Sequence, residues 1–189
     1  TIITNDLPTA TVSGDDEICA GASIPNVSVA LTGTQPWSIT YTDGTTPVNV
    51  TGISSSPYSF GGAADVTYTV TAVSDDNCTG TSSGSAIITT NPLPTATIAL
   101  SSSGDICADE TVPDIEVTLS GTQPWDITYS DGVNPSVTET GISSSPFTIP
   151  GATLGDGTYT VTAVSDLNCS GVASNDVTIN ITPLPAAPV

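Results

Sequence analysis

The chain repeats itself, and the repeat limits what it can fold into more than any other feature. Thr32-Gly33-Thr34-Gln35-Pro36-Trp37 returns as Ser120-Gly121-Thr122-Gln123-Pro124-Trp125, and Gly52-Ile53-Ser54-Ser55-Ser56-Pro57 returns at 141–146. Tyr68–Asp75 returns as Tyr159–Asp166, leading to N-C-T-G in one copy and N-C-S-G in the other. A short linker closes each copy, N-P-L-P at 91–94 and T-P-L-P at 182–185, with N-D-L-P at 5–8 before the first. From Pro92 to Pro183 the period is 91 residues. Self-similarity at a fixed period marks a structural unit that is stacked or strung with its neighbours. The expected division is 1–5 as the end of a preceding repeat or a strand-donating arm, 6–91 and 92–182 as two repeats, and 183–189 as a Pro-rich linker to a further one.

Within each copy the apolar residues alternate with Ser and Thr. Val27, Val29 and Leu31 share one face, as do Ile115, Val117 and Leu119. Trp37, Ile39 and Tyr41 match Trp125, Ile127 and Tyr129, while Val66, Tyr68, Val70 and Ala72 have Tyr159, Val161 and Ala163 as counterparts. A period of two means strands with one dry and one wet face. The predicted class is all-β, two tandem immunoglobulin-like β-sandwich repeats of about seven strands each. In the first copy these fall near 9–13, 26–32, 37–43, 46–51, 57–60, 66–74 and 85–90. Asp43-Gly44 and Asp131-Gly132 read as hairpin turns. Trp37, Tyr68, Trp125 and Tyr159 are expected in the cores; the competing role for the tryptophans is stacking on carbohydrate.

Charge excludes whole classes of function. The chain holds 19 carboxylates and no Lys, Arg or His, a net charge of −19. Binding to nucleic acid requires cations that displace phosphate counterions, so no nucleic-acid partner is expected, nor an anionic membrane surface; direct membrane insertion is not expected because no apolar run has the length to span a bilayer. With no His, Lys or Arg, nucleophilic catalysis loses its usual bases, and no enzyme is expected. A carboxylate pair of the glycosidase kind is the one catalytic arrangement left, and scattered acidic loops suit solvation better. Cohesion must come from apolar packing, β-ladders and disulfides, with bound cations as a further source.

The four cysteines, Cys19, Cys78, Cys107 and Cys169, stand two per copy at matching positions, which reads as a disulfide framework from an oxidising compartment. Symmetry favours Cys19 with Cys78 and Cys107 with Cys169. The competing link, Cys78 to Cys107 across the linker, leaves Cys19 and Cys169 for neighbouring repeats. No cofactor is expected unless it is calcium, for which the oxygen-rich candidates are Asp15-Asp16-Glu17, Asp75-Asp76 and the trio Asp105, Asp109, Glu110. Asn26, Asn49, Asn77, Asn168 and Asn180 begin N-x-S/T triplets, which arise readily by chance in so Ser/Thr-rich a chain.

Taken together, I-C-A-G near the start, the I-T-Y-x-D-G strand, the Y-T-V-T-A-V-S-D-x-N-C-x-G segment and the P-L-P linker resemble the Ig-like or PKD-like repeats of very large surface proteins. Such proteins are exported by Bacteroidota and related phyla, often through the type IX route. The resemblance covers essentially the whole chain. It implies a secreted or cell-surface adhesin, stalk or filament whose partners are neighbouring repeats and copies of itself, with no catalytic residues. The role expected is a rigid, disulfide-stabilised spacer; the alternative is an adhesin module that binds a glycan or a surface protein through loops at one end.

Overall fold

The computed structural model describes residues 4–185. The expectations for Thr1–Ile3 and for 186–189 lie outside the described residues. The chain divides into two compact units between Asn91 and Pro92, and each is a pair of facing sheets.

The first unit has nine strands: β1 (Thr9–Ser13), β2 (Asp16–Cys19), β3 (Asn26–Thr32), β4 (Trp37–Thr42), β5 (Pro47–Ile53), β6 (Tyr58–Gly61), β7 (Thr67–Ser74), β8 (Thr81–Ser83) and β9 (Ala86–Asn91). One sheet runs β6-β3-β1-β8 and the other β2-β9-β7-β4-β5. The second unit repeats this with β10 (Thr95–Leu100), β11 (Asp105–Cys107), β12 (Ile115–Ser120), β13 (Trp125–Ser130), β14 (Val137–Ile142), β15 (Phe147–Ile149), β16 (Gly157–Ser165), β17 (Val172–Ser174) and β18 (Asp176–Thr182). Its sheets run β15-β12-β10-β17 and β11-β18-β16-β13-β14. A 3-10 turn, Gly151–Thr153, precedes β16.

The count of seven strands per copy needs correction to nine. Alternation located the long strands but not β2, β8 and their counterparts β11 and β17. β8, Thr-Ser-Ser, is wholly exposed, and β2 shows no buried face. Both are edge strands paired in parallel, β8 with β1 and β2 with β9, so backbone hydrogen bonds define them and side-chain periodicity does not.

Between the sheets each unit has its own core. In the first it includes Val27, Val29, Ile39, Val70 and Ile88, and in the second Ile98, Val117, Ile127, Val161 and Ile179. Trp37 and Trp125 are buried, and their indole Nε1 atoms donate to the carbonyls of Thr32 (2.9 Å) and Ser120 (3.0 Å). Tyr68 and Tyr159 are buried too, their hydroxyls accepting from the amides of Ala63 (2.9 Å) and Gly155 (2.8 Å). Each polar tip thereby keeps a partner as its ring leaves water.

The repeated G-I-S-S-S-P motif is a clamp. Ser56 Oγ accepts from the Leu31 amide at 2.8 Å and donates to the Leu31 carbonyl at 3.0 Å; Ser145 does the same to Leu119. One hydroxyl thus satisfies both backbone groups of a strand residue. Among the described residues four X-Pro bonds are cis, at Pro36, Pro57, Pro124 and Pro146, two in each copy of the repeated motifs.

Candidate functional site

Each unit has two distinct poles, and its cysteines lie one at each. In the first unit β2 runs parallel to β9 with Cys19 opposite Asn91, and the Ala20 amide donates to the Asn91 carbonyl at 2.9 Å. Cys19 therefore marks the pole where the chain leaves the sandwich. Cys78 lies in the turn between β7 and β8, beside Pro8, where the chain comes in: the Thr81 amide donates to the Pro8 carbonyl at 3.1 Å. β7 is antiparallel to β9 with Thr67 opposite Ile87, so the two cysteines lie beyond opposite ends of β7. At ~3.3 Å per strand residue they stand roughly 35 Å apart. The second unit repeats the arrangement, with Cys107 opposite Thr182 and Cys169 beside Pro94.

A disulfide requires Cα atoms within about 7 Å, so the bridges expected inside each repeat, Cys19 with Cys78 and Cys107 with Cys169, do not form. Cys19 and Cys169 are disulfide-bonded, while Cys78 and Cys107 are free thiols, which also excludes the Cys78–Cys107 link. Matching position and loop length suggested the intra-repeat bridges; what sequence symmetry does not encode is which pole a cysteine occupies.

The turn bearing the upstream cysteine is held by a carboxylate. Asp75 Oδ1 accepts from the amides of Asn77 (2.9 Å) and Cys78 (2.8 Å), and its Oδ2 from the Thr34 amide (2.9 Å). These donors, Thr34 foremost, hold its carboxyl below the usual range. Asp166 takes the same part for Thr122, Asn168 and Cys169. Its slight burial pushes the other way, and the three amides prevail to keep its carboxyl below the ordinary value.

Other acidic candidates are also occupied by the backbone or by amide side chains. Asp15 accepts from the Ile87 amide (2.8 Å), Asp16 from the Glu17 amide (2.9 Å), and Glu17 from Asn91 Nδ2 (3.2 Å). Asp105 accepts from Asn180 Nδ2 (2.7 Å) and Glu110 from the Cys107 amide (2.6 Å); Asp76 and Asp109 are exposed. Among the described residues no three carboxylate or thiol side chains converge in a way that could hold a metal ion.

A cleft of about 520 Å³ opens in the second unit, lined by Tyr129, Asp131, Glu139, Phe147, Leu154 and Tyr159 among others. At the matching place in the first unit the Phe60 ring lies stacked on Tyr41, centroids 3.9 Å apart. Register makes Ile149 the counterpart of Phe60, since Val27 faces Phe60 as Ile115 faces Ile149. The smaller side chain, together with the loop of Pro150, Thr153 and Leu154 that carries the 3-10 turn, borders the open space. Burial, then Glu139 and Tyr159, raise the Tyr129 hydroxyl above its ordinary pKa.

No protein-family model matches the sequence, and no curated protein sequence matches it. Solved structures do. The I-band fragment I67–I69 of titin is similar at a TM-score of 0.57 and 15% identity, over 95% of this chain and 65% of that one. The N-terminal eight Ig domains of the Down syndrome cell adhesion molecule are similar at 0.54 and 15%, over 95% of this chain and 24% of that one. At such identities the likeness concerns architecture alone. The chain is thus a tandem pair of immunoglobulin-like β-sandwiches.

Proposed function

We propose that the chain is a structural segment of an extracellular fibre or stalk, in which the sandwiches act as stiff spacers. The observation that carries this reading is the anchoring of the linker. Pro94, the last residue of Pro92-Leu93-Pro94, is fully buried, and its carbonyl accepts from the Val172 amide at 3.1 Å. A Cβ on Gly171 would collide with that carbonyl, so only glycine lets the turn close on it. Pro8 is held identically by Thr81 and Gly80. Only Pro92 and Leu93 then remain between the units, and proline fixes one of their φ angles. Disulfide bonding supports an oxidising, extracellular setting. Small-angle scattering tests the reading: Pro92→Gly with Leu93→Gly should broaden the distance distribution of the chain. An unchanged distribution would mean that the linker sets no stiffness.

A second reading is favoured by the cleft of the second unit. Tyr129 offers an aromatic face, and Asp131 and Glu139 offer acceptors for the hydroxyls of a glycan. The two tryptophans cannot serve, being buried and hydrogen-bonded in the cores. Binding on a glycan array that disappears in Ile149→Phe, which should close the cleft as Phe60 does in the first unit, would support this reading; an array without a hit would remove it.

A further inference from the structure

The two bonded cysteines, Cys19 and Cys169, comprise one from a downstream pole and one from an upstream pole. The two free ones comprise one of each as well: Cys107 at the downstream pole of the second unit, Cys78 at the upstream pole of the first. Within a unit the poles are too far apart to bridge. Asn91 lies next to Cys19 in the first unit, and Pro94 next to the turn of Cys169 in the second.

We propose that Cys107 and Cys78 are the two halves of a head-to-tail disulfide coupling, in which Cys107 of one copy of the chain bonds Cys78 of the next. This rests on the array reading above and deepens it, by naming the partner as a further repeat of the same kind and the contact as covalent. Three features fit. Cys107 is exposed and Cys78 half-buried, so both thiols can be reached. The Asp75 carboxylate fixes the turn that presents Cys78. The counterparts of both residues, Cys19 and Cys169, are already oxidised. Because the two poles differ, the contact is heterologous, and it joins copies head to tail and not as a symmetric pair.

The bond forms by thiol–disulfide exchange with a small-molecule disulfide such as oxidised glutathione. The Cys107 thiolate attacks one glutathione sulfur and expels one glutathione thiolate. The Cys78 thiolate of the second copy then attacks the Cys107 sulfur of the mixed disulfide and expels the other. One S–S bond is broken and one is made, and the two protons given up by the cysteines end on the two glutathione thiols.

The test uses the whole chain and two variants, Cys78→Ser and Cys107→Ser, incubated with oxidised glutathione in buffer salty enough to screen the negative charge. The parent chain should give a ladder of multimers on non-reducing gels, with a Cys78–Cys107 cross-linked peptide by mass spectrometry. Each variant alone should remain monomeric, and their equimolar mixture should give a dimer and nothing longer. Dimers from either variant alone, a ladder lacking that peptide, or a parent chain that stays monomeric would overturn the proposal. Circular dichroism checks that both variants fold; if either does not, blocking the parent's two free thiols with iodoacetamide must abolish the ladder. A chain that scatters as stiff but fails to couple removes this inference and leaves the spacer reading intact.

Discussion

Carboxylates with no cation to pair with are the main theme at the level of single residues. Asp43 shows how the chain uses them: its carboxylate accepts from the Thr46 amide (2.9 Å) and from the Thr45 hydroxyl and amide (2.7 and 2.8 Å), which lowers its pKa to about 2. A carboxyl depressed by folding stabilises the native state above its unfolded pKa of about 3.9. That contribution is lost as pH falls through the folded value, here between about 4 and about 2. Asp43→Asn should therefore lower Tm at neutral pH, and the gap between variant and parent should shrink below about pH 4 and close only well below about pH 2; a gap unchanged by acid would mean the charge is not what matters. Glycine at position 80 is needed for a steric reason. Because a Cβ there would meet the Pro8 carbonyl oxygen, Gly80→Ala should cost about 3 kcal/mol in chemical denaturation. In the core, Ile39 is 1% exposed, and Ile39→Ala should cost about 2–5 kcal/mol by the same measurement.

The long strands and the short ones obey different rules. β3 and β12 are legible in sequence because burial on one face imposes a period of two, as in the alternation of Ile115, Val117 and Leu119; in β7 and β16 the register shifts, so that Val73 and Val164 are buried where Ala72 and Ala163 were expected. β2 and β11 were missed because they follow the edge of a neighbouring strand and bury little, yet they place Cys19 and Cys107 at the downstream poles. The serine clamp was visible only as an unexplained repeat of G-I-S-S-S-P. Its purpose depends on a contact 25 residues away in the chain, from Ser56 to Leu31. Ser56→Ala should leave both backbone groups of Leu31 short of a partner and cost about 1–3 kcal/mol in thermal or chemical unfolding. A loss indistinguishable from zero would show that water takes over.

For the molecule as a whole, the net charge of −19 opposes compaction with nothing basic to offset it. Raising sodium chloride from ~0.01 to ~0.15 M shortens the screening length from about 30 to about 8 Å, and Tm should rise across that range. At matched ionic strength, calcium should raise it no more than magnesium does, since no three acidic side chains converge among the described residues. Trypsin, which cuts after Lys and Arg, should leave the chain intact even when unfolded.

Repetition, alternation and composition were readable without coordinates because each reflects a local rule: one buried face per strand, one unit per period, no cation anywhere. Trp37, Tyr68, Trp125 and Tyr159 occupy the cores for the same reason, as large apolar rings at positions facing inward. Cysteine pairing had no such local rule. Cys19 and Cys78 occur once each in the repeat with nothing local to say where they lie, and only the antiparallel run of β7 against β9 puts them at opposite ends of one sandwich. The cleft beside Tyr129 likewise depends on tertiary contacts, with Ile149 where the first unit has Phe60 and with the loop of Pro150, Leu154 and Asp156 along its wall. Proximity between residues distant in the chain is a property of the folded arrangement, and both candidate sites are made of it.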